Sequence, residues 1–227
     1  MLIKKFKKNQ NGRDFVVGDI HGEYTKLTEQ LGEISFDYNT DRLFAVGDII
    51  DRGSHSVECL NLIFEPWFYS VRGNHEELML DSILHRCKPS MNCWINNGGE
   101  WYFDLYDKED KTQFDEITET VFSIQDLNLL TVAIEIESTS KHGKVGIVHA
   151  QPPLIWSEEN IRDQRLNLLW GRSFLERAVT VEGVDNVFVG HTPMVKGNTP
   201  VNYGGNITYT DSGAVFVQGR KLCIVEL

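Results

Sequence analysis

Five short segments place metal-binding side chains directly after runs of β-branched or aromatic residues. In chain order they are residues 18–22, 47–53, 73–76, 149–150 and 190–192. Each preceding run favours a strand, because β-branched and aromatic side chains suit a pleated, half-buried surface. One such segment would be a weak signal. Five in succession predict an active site built from loops at the ends of strands.

Length and composition indicate one globular domain that acts on neither nucleic acid nor membrane. The chain has 227 residues, of which 41% are hydrophobic and 24% are charged, as in ordinary globular domains. Its formal net charge of -11 argues against broad nucleic-acid binding, because the phosphate backbone would be repelled. No apolar stretch reaches the ~20 residues of a membrane span, and no signal peptide is recognised. Four scattered cysteines favour a reducing compartment, so we expect a cytoplasmic protein; its oligomeric state is not readable.

The first half of the chain alternates between strand and helix patterns. We expect strands at 14–17, 43–46 and 68–71, and helices at 25–31, 56–64 and 76–86. This alternation predicts an α/β domain with a partly parallel sheet. The basic run at residues 4–8, which precedes the first strand, is interpreted as a frayed, solvated terminus.

The second half predicts a helical insert followed by a second sheet. Residues 87–128 are expected to form a mostly helical insert beside the site, with one helix at 114–124. A short helix is expected at 175–179, and strands at 130–136, 144–148, 187–189, 207–209, 214–217 and 222–225. Their succession suggests an antiparallel sheet. We therefore expect a single domain over residues 1–227 that carries this insert.

The segments share oxygen and imidazole side chains, which are ligands for divalent metals. The candidates are Asp19, His21, Asp48, Asp51, Asn74, His75, His149 and His191. Such ligands without thiolates favour manganese, iron or zinc. Two metals ~3.5–4 Å apart can clamp the attacking and leaving oxygens of a displacement at phosphorus. Bound cations would also reverse the acidic field locally, so an anionic substrate fits.

Each candidate also has a purely structural interpretation. Asp19 or Asn74 could cap the helix that follows it, and Asp51 with Arg52 could form an exposed turn. The joint pattern outweighs these readings. Arginine forks suit phosphoryl oxygens, and three arginines are candidates for that role: Arg52 and Arg72 inside the segments, and Arg172 as a weaker third.

Residues 18–22, 47–53 and 72–76 resemble the signature blocks of the phosphoprotein phosphatase family of metallophosphoesterases. The similarity continues through residues 97–99, 190–193 and 211–216, and so spans nearly the whole chain. The resemblance implies a calcineurin-like fold, which is a two-sheet β-sandwich flanked by helices with metals at the strand ends. It also implies hydrolysis of phosphomonoesters, above all phosphoserine and phosphothreonine in proteins, or small phosphoesters.

The resemblance further implies a role for each candidate. One metal would be held by Asp19, His21 and Asp48. The second would be held by Asp48, Asn74, His149 and His191, with Asp48 bridging. A metal-activated hydroxide would attack phosphorus. His75 would be the general acid that protonates the leaving oxygen, with Asp51 as its partner. Arg52, Arg72 and Arg172 would bind phosphate. Two divalent ions are therefore expected, with manganese favoured over iron or zinc.

Two other functions stay open at this point. A symmetrical dinucleoside polyphosphate hydrolase has a similar fold, but that branch departs from this chain in its second and third blocks, where Asp51 and Glu76 favour the phosphatase branch. A non-catalytic scaffold would show degenerate ligands, and here all are present. After His149 the chain reads 150–153 Ala-Gln-Pro-Pro instead of the glycines of eukaryotic relatives, so their substrate contacts are not transferred.

Overall fold

A computed structural model describes residues 2–108, 111–126, 128–194 and 197–227. The strands are β1 Ile3–Phe6, β2 Asp14–Val17, β3 Arg42–Ala45, β4 Phe68–Ser70, β5 Ala133–Thr139, β6 Gly143–Val148, β7 Asn186–Val189, β8 Val201–Asn202, β9 Ile207–Tyr209 and β10 Ile224–Glu226. The helices are α1 Tyr24–Glu33, α2 Ser56–Asn61, α3 Asn74–Ile83, α4 Lys88–Trp94, α5 Glu100–Tyr106, α6 Thr112–Asp126, α7 Glu158–Asp163 and α8 Arg165–Trp170. Within these ranges, no helix is both long and apolar enough to cross a bilayer.

The strands form two sheets. The four-stranded sheet has the order β10-β2-β3-β4, in which β2, β3 and β4 are parallel and β10 is antiparallel to β2. The six-stranded sheet has the order β1-β5-β6-β7-β9-β8. It contains parallel pairs at β1–β5, β6–β7 and β7–β9, so the expected antiparallel second sheet is wrong and the sheet is mixed.

Side chains alternate between the two faces of each strand and so divide the core into three layers. In β2, Phe15 and Val17 pack with the helices that cover the four-stranded sheet, whereas Val16 points to the opposite face. There Val16 joins a buried cluster with Ile147 of β6 and Phe188 of β7. The two sheets therefore pack face to face with helices outside, which confirms the α/β fold as a two-sheet β-sandwich flanked by helices.

The basic N-terminal run is not a frayed terminus, and that prediction was wrong. Residues of β1 pair in parallel register with β5, from Ile3 opposite Ala133 to Phe6 opposite Ile136. Ile3 is buried, and the Phe6 ring lies 5.1 Å from that of Phe44. The apolar residues that interrupt the lysines anchor the strand, while the charges stay at the surface.

Two further predictions fail where apolar residues lie in turns. Residues 214–217 were expected to form a strand, but the N–H of Phe216 donates to the carbonyl of Gly213 and the Phe216 side chain is 58% exposed. Residues 175–179 were expected to be helical, but Glu176 has a φ of +60°, which ends any helical turn there. Helices α7 and α8 and strand β8 were not predicted.

The insert contains α4, a kinked segment at Ile95–Gly99 with positive φ at Gly98, α5 and α6. The helix predicted at 114–124 lies inside α6 and is confirmed. Residues 109, 110 and 127 of the predicted insert lie outside the described residues. The assignment of one domain with an insert stays a prediction.

Candidate active site

The five segments converge at one end of the two sheets. Segments 18–22, 47–53 and 72–76 follow the parallel strands β2, β3 and β4, so they leave the sheet at the same edge. His149 and Gly190 follow the parallel strands β6 and β7 of the other sheet. The two sets meet directly, because the backbone N–H of His191 donates to both carboxylate oxygens of Asp19, at 3.1 and 3.0 Å.

Asp48 lies at the centre of the cluster. Its Oδ2 atom is 3.6 Å from His21 Nε2, 3.4 Å from His149 Nε2 and 3.9 Å from His75 Nε2. Among the described residues, two groups of three side chains place metal-binding atoms close together: His21 with Asp48 and His75, and Asp48 with His149 and His191. Asp48 belongs to both groups, which is the position that a bridging ligand requires.

Asn74 brings a neutral oxygen to the second group. Its Oδ1 atom lies 2.8 Å from His149 Nε2 and 2.9 Å from His191 Nδ1. The residue is the first of α3, and Gly73 rather than Asn74 occupies the N-cap. The capping interpretation of Asn74 therefore fails, since its side chain points to the two imidazoles.

Asp19 and His21 are held beside Asp48. Asp19 is buried, and its Oδ2 atom is 4.0 Å from His21 Nε2. Helix α1 begins at Tyr24, so Asp19 does not cap it. The Nδ1 atom of His21 donates to the Ile50 carbonyl at 2.9 Å, so Nε2 is the nitrogen that carries the lone pair a metal would need.

The chemistry of these residues fits two divalent cations. Burial lowers the pKa of His21 and of His191 to about 3, so both imidazoles are neutral and can act as ligands near pH 7. Burial, followed by the charges of Asp211 and Asp48, raises the pKa of Asp19 well above its ordinary value. Burial would lower the pKa of His149, but the charge of Asp48 and the hydrogen bonds to Asp48 and Val46 together outweigh it and raise that pKa. The site thus concentrates negative charge that bound cations would neutralise.

The loops adopt strained backbone conformations at the residues that point into the site. His21, Asp48, Asp51, Arg52 and His191 have φ angles of 45°, 48°, 73°, 71° and 69°. Non-glycine residues seldom adopt positive φ, and such conformations persist only where surrounding contacts impose them.

Glu76 supplies such contacts for the Asp48 loop. Its fully buried carboxylate accepts from the N–H groups of Asp48 at 2.9 Å, Ile49 at 2.9 Å and Gly73 at 2.8 Å. Burial, followed by the charge of Asp48, raises the pKa of Glu76 to about 7. Glu76 was not predicted as a site residue, although it ends the third block and is the only acidic residue there that could bond to the preceding loop.

His75 and Asp51 form a buried pair. The Nδ1 atom of His75 donates to Asp51 Oδ2 at 2.6 Å, and Asp51 is 0% exposed, so the exposed-turn interpretation fails. Burial would lower the pKa of His75, but the charge of Asp48 and the bond to Asp51 outweigh it and raise that pKa. Asp51 also accepts from the indole N–H groups of Trp94 and Trp101, which were not predicted.

The three predicted arginines lie in different places. The Arg52 guanidinium contacts His21 Nε2 and lies 5.1 Å from the centre of the Phe216 ring. Arg172 is exposed, and its Nε donates at 3.2 Å to the hydroxyl of Thr192, the residue after His191. Both lie beside the cluster.

Arg72 is directed away from the cluster. Its guanidinium donates to Glu77 at 3.0 Å and to the Leu130 carbonyl at 3.2 Å. Arg165 bonds to the same Glu77 carboxylate at 2.8 and 2.9 Å. The phosphate-binding role of Arg72 stays a prediction, and the structure does not bring this guanidinium to the metal-binding side chains.

Known proteins resemble this chain over nearly its full length. The model of the calcineurin-like phosphoesterase family matches residues 15–200. Serine/threonine-protein phosphatase 1 of Salmonella typhimurium is 34% identical over 216 residues, which are 94% of this chain and 91% of that protein. The symmetrical bis(5'-nucleosyl)-tetraphosphatase of Haemophilus ducreyi is 36% identical over only 80 residues, 34% of this chain and 30% of that protein.

A solved structure shares the fold. It is described provisionally as a diadenosine tetraphosphatase and superimposes with a TM-score of 0.64 over 99% of this chain and 96% of that one, at 21% identity. That likeness concerns the fold alone. The family match and the extended sequence identity together show that the chain belongs to the calcineurin-like phosphoesterase family.

Proposed function

We propose that this protein is a metal-dependent phosphatase that hydrolyses phosphoserine and phosphothreonine in proteins. The observation that carries the proposal is the position of Asp48 between two groups of imidazoles, with the His75–Asp51 pair directly beside it. The extended identity to a bacterial serine/threonine phosphatase supports the choice of substrate. No nucleic-acid or membrane partner is part of the proposal.

Six side chains are proposed to hold two divalent ions. Three of them, Asp19, His21 and Asp48, would form one site. Asp48, Asn74, His149 and His191 would form the other. When bound, such ions supply Lewis-acid charge and lower the pKa of water, with manganese proposed in preference to iron or zinc. The first geometric group includes His75 where the proposal has Asp19, whose Oδ2 atom lies 4.0 Å from His21 Nε2.

His75 is proposed to protonate the leaving oxygen. Its Nδ1 is occupied by Asp51, so its Nε2 faces Asp48 at 3.9 Å and is the nitrogen that can give up a proton. The raised pKa of His75 favours the protonated form that a general acid needs. Such catalysis contributes ~10²–10⁴-fold, most for an alkoxide leaving group.

Arg52 and Arg172 are proposed to bind the phosphoryl group. Arg52 contacts His21, and Arg172 lies beside Thr192, so the two approach the cluster from opposite sheets. Guanidinium forks stabilise negative charge on phosphoryl oxygens. In the structure the Arg72 guanidinium bonds to Glu77. Direct binding of phosphate by Arg72 is the prediction to test.

Hydrolysis of symmetrical dinucleoside polyphosphates is the second candidate. A stretch of 80 residues that is 36% identical to a symmetrical bis(5'-nucleosyl)-tetraphosphatase favours it. Sequence identity to a named enzyme of that activity covers only 34% of this chain, against 94% for the phosphatase. A non-catalytic scaffold is disfavoured, because every predicted metal ligand and His75 is present and buried.

The test compares two substrates. The manganese-loaded protein is given a phosphoserine peptide and diadenosine tetraphosphate in parallel, each with and without a chelator. We expect chelator-sensitive release of phosphate from the peptide. Preference for the dinucleotide would replace the proposed substrate, and absence of turnover on both by a protein that binds manganese would reject the proposed function. His75→Asn is the variant control, expected to bind manganese and to lose peptide turnover.

A further inference from the structure

The helical insert reaches the acid pair through two tryptophans. Trp94, at the end of α4, donates its indole N–H to Asp51 Oδ2 at 2.9 Å. Trp101, the second residue of α5, donates to Asp51 Oδ1 at 2.7 Å. Both oxygens of this buried carboxylate are therefore held by the insert, and Oδ2 also accepts from His75.

Indole is a donor without an acceptor, and this property matters at Asp51. A Trp N–H cannot take up a proton, so both contacts favour the ionised carboxylate, which only accepts. They also fix the plane of the carboxylate, because one donor engages each oxygen. His75 is in turn oriented by its bond to Asp51 Oδ2. The direction of His75 Nε2 thus depends on two residues from the insert.

The glycines between the two tryptophans let the insert approach this closely. Gly99 packs on Trp94, and a Cβ there would lie 2.5 Å from the indole ring. Gly98 has a φ of +105°, and a Cβ there would lie 2.7 Å from the backbone nitrogen of Arg52. The carbonyl of Gly98 accepts from that same N–H at 3.4 Å. Residues 94–101 therefore contact Asp51 and Arg52 and help to hold both in their strained positive-φ conformations.

We propose that Trp94 and Trp101 are positioning residues for the reaction, which hold Asp51 so that His75 is aimed at the leaving oxygen. The inference rests on the proposed function of His75. It gives the insert a part in the proton transfer. Packing alone would not require tryptophan at these two positions, because phenylalanine would fill much of the same space.

The chain offers a matched control. Trp156 is also buried, and its indole N–H also donates to a carboxylate, that of Glu135, at 2.8 Å. Glu135 lies on strand β5 of the six-stranded sheet and Trp156 lies just before α7, so neither residue belongs to the site loops. Trp156→Phe therefore removes the same type of hydrogen bond without touching Asp51.

The kinetic test uses the dependence on the leaving group. Trp101→Phe and Trp94→Phe are assayed with a phosphoserine peptide, whose alkoxide must be protonated, and with p-nitrophenyl phosphate, whose phenolate leaves unassisted. We expect kcat to fall about tenfold or more on the peptide and less than about threefold on the aryl ester, since only part of the ~10²–10⁴-fold from the acid is lost. Equal losses on both substrates would overturn the proposal.

Non-additivity gives a sharper criterion. In the His75→Asn background, Trp101→Phe should change peptide turnover by less than about twofold, because the two residues act as one unit. A full additive loss would mean that Trp101 acts elsewhere. Trp101 is only partly buried, so its phenylalanine variant serves if Trp94→Phe does not fold.

A spectroscopic measurement is independent of turnover. In the zinc-loaded protein, which is diamagnetic, the His75 Nδ1 proton is followed by NMR and assigned by its loss in His75→Asn. We expect this resonance to shift or to broaden in Trp101→Phe and to stay in place in Trp156→Phe. An unchanged resonance in Trp101→Phe would overturn the inference whatever the substrate proves to be. Failure of wild-type turnover would reject the proposed function alone.

Discussion

Replacing Glu76, the one carboxylate of the third block, by alanine should cost much of the protein's stability. The carboxylate accepts three buried backbone N–H groups, from Asp48, Ile49 and Gly73, each within 2.9 Å. A buried donor that loses its partner costs ~1–3 kcal/mol, so three donors amount to ~3–9 kcal/mol. Whole domains are stable by only ~5–15 kcal/mol, so the variant is expected to be largely destabilised.

The measurement is urea unfolding at pH 8, where Glu76, with its pKa raised to about 7, is mostly ionised. The urea midpoint should fall without a change in the slope m, which would indicate lost stability and not a changed unfolded state. Glu76→Gln keeps one acceptor oxygen and should lie between wild type and Glu76→Ala. Glu29→Ala, an exposed change on α1, is the control and should stay within ~0.5 kcal/mol of wild type.

A small effect would refute the reasoning. If Glu76→Ala unfolds within about 1 kcal/mol of wild type, the three N–H groups must find other partners, such as water. The loop that carries Asp48 would then be held by the strand ends rather than by Glu76. A large loss of stability with unchanged manganese affinity would still support the hydrogen-bonding argument. It would mean that Glu76 stabilises the fold but is not needed to arrange the metal ligands.

Three further outcomes are expected. Arg52→Ala should lower kcat/KM for a phosphoserine peptide by ~10²-fold, as expected for loss of a charged donor at the phosphoryl group. Arg72→Ala should lower kcat/KM less, because the Arg72 guanidinium bonds to Glu77. Burial would raise the pKa of Glu77, but Arg165 and then Arg72 outweigh it and lower that pKa. Glu77→Gln should therefore lower the free energy of unfolding in urea by ~1–3 kcal/mol at pH 7. This difference from wild type should shrink as the pH falls below ~4.3, the pKa of an unfolded glutamate. Manganese at ~100 times its Kd should stabilise the protein against heat by ~2.7 kcal/mol, an effect that a chelator reverses and His149→Ala weakens.

Local patterns were sufficient to predict which side chains gather at the strand ends, because these side chains follow strands directly. The strand at 14–17 was predicted with the bounds of β2, and that at 207–209 with the bounds of β9. Once parallel strands are assumed for β2, β3 and β4, their carboxyl ends must share an edge, so the meeting of Asp48 with His21 and His75 follows from strand order. The meeting with His149 and His191 does not, because these residues follow strands of the other sheet, which was expected to be antiparallel. The distances between them did not have to be known for the metal chemistry to be inferred.

The partners of Asp51 could not be predicted, because they depend on contacts between distant parts of the chain. Trp94 and Trp101 lie 43 and 50 residues from Asp51, and nothing in their local pattern distinguishes a donor to the site from a core aromatic residue. The asparagine and two glycines at 97–99 were the available signal, since adjacent glycines within a helical stretch need a reason such as close packing. The direction of Arg72 is of the same kind, because its guanidinium donates to the carbonyl of Leu130, 58 residues away.

The N-terminal strand is the clearest case in which tertiary pairing overrides a local charge pattern, and it yields a final prediction. A frayed terminus would make Ile3→Ala and Lys5→Ala equally harmless. In the structure Ile3 is 4% exposed and packs in the outer core of the six-stranded sheet, whereas Lys5 makes an exposed ion pair with Glu158 at 3.5 Å.

Ile3→Ala should therefore cost ~2–5 kcal/mol in urea unfolding, the range for deleting a buried aliphatic side chain, with the lower end expected at an edge strand. Lys5→Ala should change stability by no more than ~0.5 kcal/mol, since exposed ion pairs contribute little. If both variants unfold at the urea midpoint of wild type, β1 is not bound to β5 in solution. The six-stranded sheet would then end at β5, and the basic run would be the solvated arm that its charge alone suggests.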